Sequence, residues 1–409
     1  KNINKMNKFS IIILLFLLIF SKNFSQFYEF PENIFSAKIT GSNLNYPVFN
    51  LKDKIFFSFD DLNIKKSSYY YKINHFDFEW KHSKALKSEY IDGYDDNLIE
   101  TFDNSYNTLI DYTNYQISIP NENLKLKISG NYSISIHNEN GDFLFEKKFS
   151  VLNKMISTNI KIKRSTDLKK IDSHQNIDIS VTCDNCNKFI GNSSDLKLVI
   201  LKNNNWNDYK VIERPDYFLN NTLIFKDISF EGGNEFLNFD NSKINSTNIK
   251  VYKTELNDFY ETYLRTDIDR TNSIYQYNPD INGSFVINNN FNIPEIENDY
   301  TLVKFSLKPE RIDEKNRVFI IGEFNDYKIT DKYELKLNDD IYNGEFKFKQ
   351  GFYNYKYLSV LPGNKVKKYA GNFWETQNIY NALLYQKKLT EKYYKLISIS
   401  EISSVNIKN

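Results

Sequence analysis

Apolar and polar residues alternate wherever the pattern along this chain is legible, as in "KIFFSFDDL" (54–62), "NYSISIHN" (131–138), "DLKLVILKN" (195–203) and "TLVKFSLKP" (301–309). A period of two places successive side chains on opposite faces, so these segments read as half-buried strands. The breaks between them are rich in Asn, Asp and Gly. "NENGD" (138–142) sets Asn140-Gly141 between two alternating runs, which is a hairpin signal. Only 13 glycines are present, so asparagine is expected to occupy many turn positions that need positive φ. No long amphipathic helix follows the N-terminal apolar run, and residues 82–110 read as a short helix or as long loops. The pattern predicts an all-β chain of tandem β-sandwich modules, immunoglobulin-like or early-set-like. Their expected extents are 26–154, 155–295 with an irregular Asn-rich segment, and 296–409.

The start of the chain is excluded from that fold. Met6, Lys8, the apolar run Ile11–Phe20 and the polar "SKNFSQ" have the order of a signal peptide, expected over residues 1–25 with cleavage near Ser25. Ten apolar residues are too few to span a bilayer, no later run approaches that length, and no Cys follows that would suggest a lipid anchor. The expectation is a soluble, exported protein. With 53 basic and 52 acidic side chains the chain has no electrostatic footprint for nucleic acid; without Lys1, Lys5, Lys8 and Lys22 the balance becomes 49 against 52.

The two cysteines form C-x-x-C in "VTCDNCNKF". A redox centre favours a helix start within a βαβ pattern, and zinc needs two more ligands, which His75, His82, His137 and His174 do not supply as a nearby pair. "DISVTCDNCNKF" reads as a strand and a turn, so a local structural disulfide between Cys183 and Cys186 is expected for an exported chain. "NPDING" (278–283) imitates the opening of a calcium loop, but Asn289 stands where a bidentate Glu belongs, and a turn is the expectation. On a strand His75, Asp77 and Glu79 would share one face, a conceivable metal or acid-base cluster. The same phase gathers Phe76, Phe78 and Trp80 opposite, which a half-buried strand requires without any chemistry. The carboxylate pairs Asp60-Asp61 and Asp95-Asp96 point to opposite faces if they lie on strands and are expected to be solvated in turns. No nucleophile elbow, phosphate loop or dinucleotide fingerprint occurs. The sequence assigns no catalytic, cofactor-binding or metal-binding residue and argues for no enzyme.

"IIGEFNDYKI" (320–329) followed by "NGEFKFKQGFYNYKY" (343–357) resembles the early-set sandwich of glycogen-binding modules. That resemblance implies aromatic stacking on sugar at positions such as Tyr327 and Tyr353, with Tyr327 where those modules usually carry tryptophan. A periplasmic glycan-binding protein is the alternative reading it supplies. In "FKFKQGFYNYKY" the apolar phase shifts by one at Gly351. A hairpin or bulge is expected there, with Phe346 and Phe348 on one strand, Tyr353, Tyr355 and Tyr357 on its neighbour, and Lys347, Lys349 and Lys356 opposite the rings.

Ten separated motifs together resemble one family, the plug proteins of the type IX secretion system of Bacteroidota. They are "FSFDDL" (57–62), "YYYKINHFDFEW" (69–80), "SEYIDGY" (88–94), "SYNTLIDYTNYQISIPN" (105–121), "KISGNYSISI" (127–136), "GGNEFLNFD" (232–240), "DINGSFVI" (280–287), "GEFNDY" (322–327), "KQGFYNYKY" (349–357) and "FWETQNIY" (373–380). They run in the family's order across nearly all of the chain after residue 25. Leu237 stands where the family tends to carry Arg, and "YQKK" with "EKYYKLIS" replaces a more Arg- and Asp-rich ending. The resemblance implies a periplasmic protein without enzymatic activity. It would sit under the SprA-type outer-membrane translocon barrel, with other type IX components nearby, and occlude the pore while no substrate is engaged. It implies no membrane insertion, and it assigns no residue to the partner interface.

Overall fold

The computed structural model describes residues 30–63, 66–183, 196–244, 246–288, 293–312, 315–362, 365–405 and 407. The expected signal peptide lies outside these residues. By contact the chain divides into residues 1–30 and 31–409, and the second unit carries the fold. No helix of the described residues is long and apolar enough to cross a membrane.

The N-terminal part is a sandwich. Strands β1 (Ile34–Thr40), β2 (Ile55–Asp61), β3 (Tyr70–Phe76), β4 (Thr101–Asn104), β5 (Thr113–Ile119), β6 (Gly130–His137) and β7 (Phe143–Leu152) build it. One sheet has the order β1-β2-β5-β4, and β3, β6 and β7 lie side by side in a second. Alternation sets the faces: in β2 Ile55, Phe57 and Phe59 are buried while Phe56 is exposed. Phe59 stacks on Tyr115 and meets Phe145 of the opposite sheet edge-on, both with centroids 5.2 Å away. β6 and β7 form the expected hairpin, with Gly141 at positive φ. Between β3 and β5 the undecided stretch resolves into a single helical turn, Lys87–Tyr90, and short strands.

The middle of the chain supplies β8 (Ser157–Arg164), β9 (His174–Thr182), β10 (Leu196–Lys202), β11 (Asn205–Ile212), β12 (Tyr217–Leu219) and β13 (Thr222–Glu231), then β14 (Leu237–Asp240), β15 (Val251–Leu256), β16 (Tyr260–Leu264) and β17 (Phe285–Ile287). Asparagine makes its turns: Asn203-Asn204 and Asn220-Asn221 all have positive φ. The C-terminal part adds β18 (Tyr300–Lys308), β19 (Arg317–Ile321), β20 (Glu334–Asn338), β21 (Ile341–Lys349), β22 (Gly351–Leu361), β23 (Ile379–Gln386) and β24 (Lys395–Ser403).

The strands do not pair as three modules in series. β10 pairs with β23, and β24 joins β7, so one sheet runs β11-β10-β23-β24-β7-β6-β3 across both expected borders. A second large sheet runs β14-β22-β19-β20-β21-β18-β16-β15, mixing strands from before and after residue 296. The cores follow the pairing. Ile177, Ile179, Leu223 and Phe225 of the β8-β9-β13-β12 sheet pack with Leu198, Ile200, Leu384 and Ile397, so a C-terminal strand pair completes the middle sandwich. Phe239, Val251, Leu264 and Phe285 in turn complete the core of the last one. Periodicity dictates a strand and its inward face, but it carries no information about a partner more than a hundred residues away.

"FKFKQGFYNYKY" likewise differs from the expected hairpin. β21 pairs with β18 and β20, whereas β22 pairs with β14, β17 and β19, so the chain changes position in the sheet at Gln350-Gly351. Gly351 is required by close approach: a Cβ there would lie 2.3 Å from the Val286 carbonyl oxygen of β17. Phe346, Phe348, Tyr353, Tyr355 and Tyr357 nevertheless share one core.

Candidate functional site

The most strongly built polar arrangement lies where the N-terminal sandwich meets the C-terminal one. Asp60, near the end of β2, and Lys349, the last residue of β21, are 0% and 2% exposed and form an ion pair of 2.7 Å. Asp60 also accepts from the Tyr300 hydroxyl at 2.6 Å and from the Asn114 amide at 2.7 Å. The Lys349 ammonium donates to the Glu295 carbonyl at 2.6 Å and lies 4.2 Å from the centre of the Tyr112 ring. Burial pulls the Lys349 ammonium below its ordinary value, opposed by Asp60, and pushes the Tyr300 hydroxyl far up. Asp61, on the other face of β2, is equally buried and accepts from Tyr69 at 2.7 Å and Asn33 at 2.6 Å. The expected opposition of faces is therefore present, but neither carboxylate is solvated. Asp95 and Asp96 are exposed and pair with Lys87 and Lys72.

Further lysines bridge the same seam. Lys332 reaches the carbonyls of Pro31, Glu32 and Ile34 at 3.1–3.4 Å, with its ammonium 3.6 Å from the Phe35 ring centre. Burial pushes it down to about 8. Lys38 of β1 donates to the Phe285 carbonyl of β17. The β4–β5 loop is held by the same neighbour, since Tyr106 N–H donates to Ile296 O and the N–H groups of Leu109 and Ile110 donate to the Asp299 carboxylate.

His75, Asp77 and Glu79 do not assemble. β3 ends at Phe76, and Asp77 caps a turn by accepting from the N–H groups of Glu79 and Lys81, with Trp80 at positive φ. Glu79 pairs with Lys81, while His75 is buried among Tyr90, Tyr132 and Tyr393, its Nδ1 2.7 Å from Ser83 Oγ. Burial holds the imidazole at about 4. Unfolding restores the ordinary value near 6.5, so the unfolded chain takes up a proton that the folded one refuses. Stability should therefore fall as pH drops from 6.5 towards 4, and His75 should contribute no further slope below that. The share is up to about 3 kcal/mol. Urea unfolding across this range should give a shallower pH slope for His75→Gln.

"NPDING" is a turn tied to β14. Asp280 accepts from the Phe236 and Asn282 N–H groups, the Asn278 amide donates to the Phe236 carbonyl, and Asn289 lies outside the described residues. Among the described residues no group of three or more His, Cys, Asp or Glu side chains is placed to hold a metal ion. Cys183 is buried and disulfide-bonded, and Cys186 lies outside the described residues. Tyr353 is buried and stacked between Phe239 and Phe285, which leaves no face for a sugar ring. The half-buried Tyr327 turns its hydroxyl inward, 3.4 Å from the carbonyls of Asn203 and Asn282. The pair offers no stacking platform, and the glycan reading loses its basis. The ring phase was visible in the sequence, but the seam was not, because Asp60 and Lys349 read as ordinary polar members of alternating strands.

Residues 34–153 match the family model described as "Type 9 secretion system plug protein 1st domain". A crystal structure of a hypothetical protein from Parabacteroides merdae is similar with a TM-score of 0.84 and 26% identity, over 92% of this chain and 98% of that one. A mutant of Salmonella alpha-2-macroglobulin aligns over 93% of this chain and 28% of its own, at 6% identity and a TM-score of 0.18 that carries no argument. No curated protein matches the chain. Residues 34–153, which contain five of the ten sequence motifs, thus match the first domain of type 9 secretion system plug proteins.

Proposed function

We propose that this chain is a non-enzymatic plug of a type IX secretion system. Exported by its N-terminal segment, it binds the periplasmic mouth of an SprA-type outer-membrane barrel and seals the pore while no substrate is engaged. The observation that carries this reading is the match of residues 34–153 to the plug domain. The mechanics agree with it. An obstruction must resist deformation, and here the N-terminal sandwich is tied to the rest by a shared sheet and by a buried, hydrogen-bonded ion pair. The work is steric, so its cost is reversible docking, and a polar-rimmed interface with a few aromatic anchors suits that better than an obligate apolar face.

Deleting the gene should make the outer membrane leaky to small dyes normally excluded from the periplasm, and the tagged chain should co-purify with the barrel from detergent extracts. Failure of both would remove the reading.

A further inference from the structure

We infer that the tip of the β4–β5 loop, together with the helical turn Pro294–Glu297 beside it, is a docking surface for a basic polypeptide segment that carries an apolar anchor. The inference goes beyond the plug reading and does not depend on it. Tyr106 and Leu109 at the loop tip are 68% and 49% exposed, and Ile293 at the start of the neighbouring turn is 48% exposed. Large apolar side chains on a loop tip are common, but these sit on a backbone that cannot relax away. Ser105 and Tyr112 close the loop, Tyr106 N–H is held by Ile296 O, and the Asp299 carboxylate takes two further N–H groups. The backbone that carries these side chains is thus fixed in advance, and its ordering cost on binding is small. Tyrosine is among the residue types that dominate interface energetics.

Charge selects the partner. From Ser88 to Leu124 the chain has eight acidic residues and no Lys, Arg or His, and from Thr271 to Val303 it has four acidic residues and again none of these. Those two stretches meet here, with Asp103, Asp111 and Glu295 exposed. None of the three enters an ion pair among the described residues. The cation behind the surface, Lys349, is buried and already committed to Asp60. An apolar anchor surrounded by unpaired carboxylates repels anionic surfaces and rewards a chain that brings lysine or arginine around a large apolar side chain.

The test uses the purified protein and a short labelled peptide alternating lysine with leucine and phenylalanine. Two companions replace its lysines by glutamate or its apolar residues by serine. The basic apolar peptide should bind, and both companions should bind at least about tenfold more weakly. Tyr106→Ser with Leu109→Ser should abolish most of the binding. Asp103→Asn, Asp111→Asn and Glu295→Gln together should weaken it and flatten its salt dependence. All these positions are on the surface, so unchanged thermal midpoints should accompany the losses. Equal binding of the glutamate peptide, or binding indifferent to the Tyr106 and Leu109 changes, would overturn the inference. So would concentration-dependent self-association lost with Tyr106→Ser, which would make a second copy the occupant. Leakiness and co-purification with the barrel are separate readouts, so either proposal can fail alone.

Discussion

Lys349→Met is expected to destabilise the protein by about 3–5 kcal/mol, because it strands a carboxylate that has no access to water. Asp60 is wholly buried, and three groups meet it: the Lys349 ammonium, the Tyr300 hydroxyl and the Asn114 amide. Two neutral donors remain after the substitution, so the aspartate either stays charged without a cation or takes up a proton from solvent. The Glu295 carbonyl also loses its donor. Asp60→Asn combined with Lys349→Met should recover part of the loss, since two neutral side chains impose no charge burial. Urea unfolding of the wild type, both single variants and the double variant measures the cycle. A loss under about 1 kcal/mol for Lys349→Met would mean that the pair is hydrated and that the two sandwiches are not locked through it.

How far the sequence carried depends on what kind of information each residue holds. β2 was legible because Ile55, Phe57 and Phe59 recur at every second position, and from Ile55 to Phe59 burial follows that phase, with Phe56 the exposed apolar member. Asn203-Asn204 and Asn220-Asn221 were legible in kind, since a glycine-poor chain must place another residue type at positive φ. His75 was misleading because its strand stops one residue later, at a turn organised by the Asp77 side chain, a local hydrogen-bonding choice that periodicity cannot see. Asp60 and Lys349 were invisible as a pair. They are 289 positions apart, and each sits where an exposed residue would fit the pattern. The pairing of strands across the expected module borders was illegible for the same reason: β10 and β23 are well-formed strands in sequence, but their pairing is a fact of topology. The family motifs pointed to the same plug family as the domain match, and they did not depend on knowing which strand lies beside which.

The interleaving makes the second large expectation, about 3–5 kcal/mol lost on Phe239→Ala, a test of architecture as well as of packing. Phe239 belongs to β14 and is fully buried. Its ring stacks on Tyr353 at 5.1 Å and contacts Phe305 and Phe348 edge-on at 5.5 and 5.2 Å, all three contributed by strands after residue 296. Truncation leaves a void lined by rigid rings, which collapse poorly, so the cost should sit towards the upper end for a large-to-small change. Native-state hydrogen exchange distinguishes the arrangements. Three independent modules would confine the loss of protection to residues 155–295. The observed pairing requires that Leu237–Asp240 and Phe285–Ile287 lose protection together with Gly351–Leu361, because both segments hydrogen-bond to that strand. The β1-β2-β5-β4 sheet pairs with none of them and should keep its protection. Loosening restricted to the middle third of the chain would show that the C-terminal sandwich closes without β14, contrary to the strand order described above.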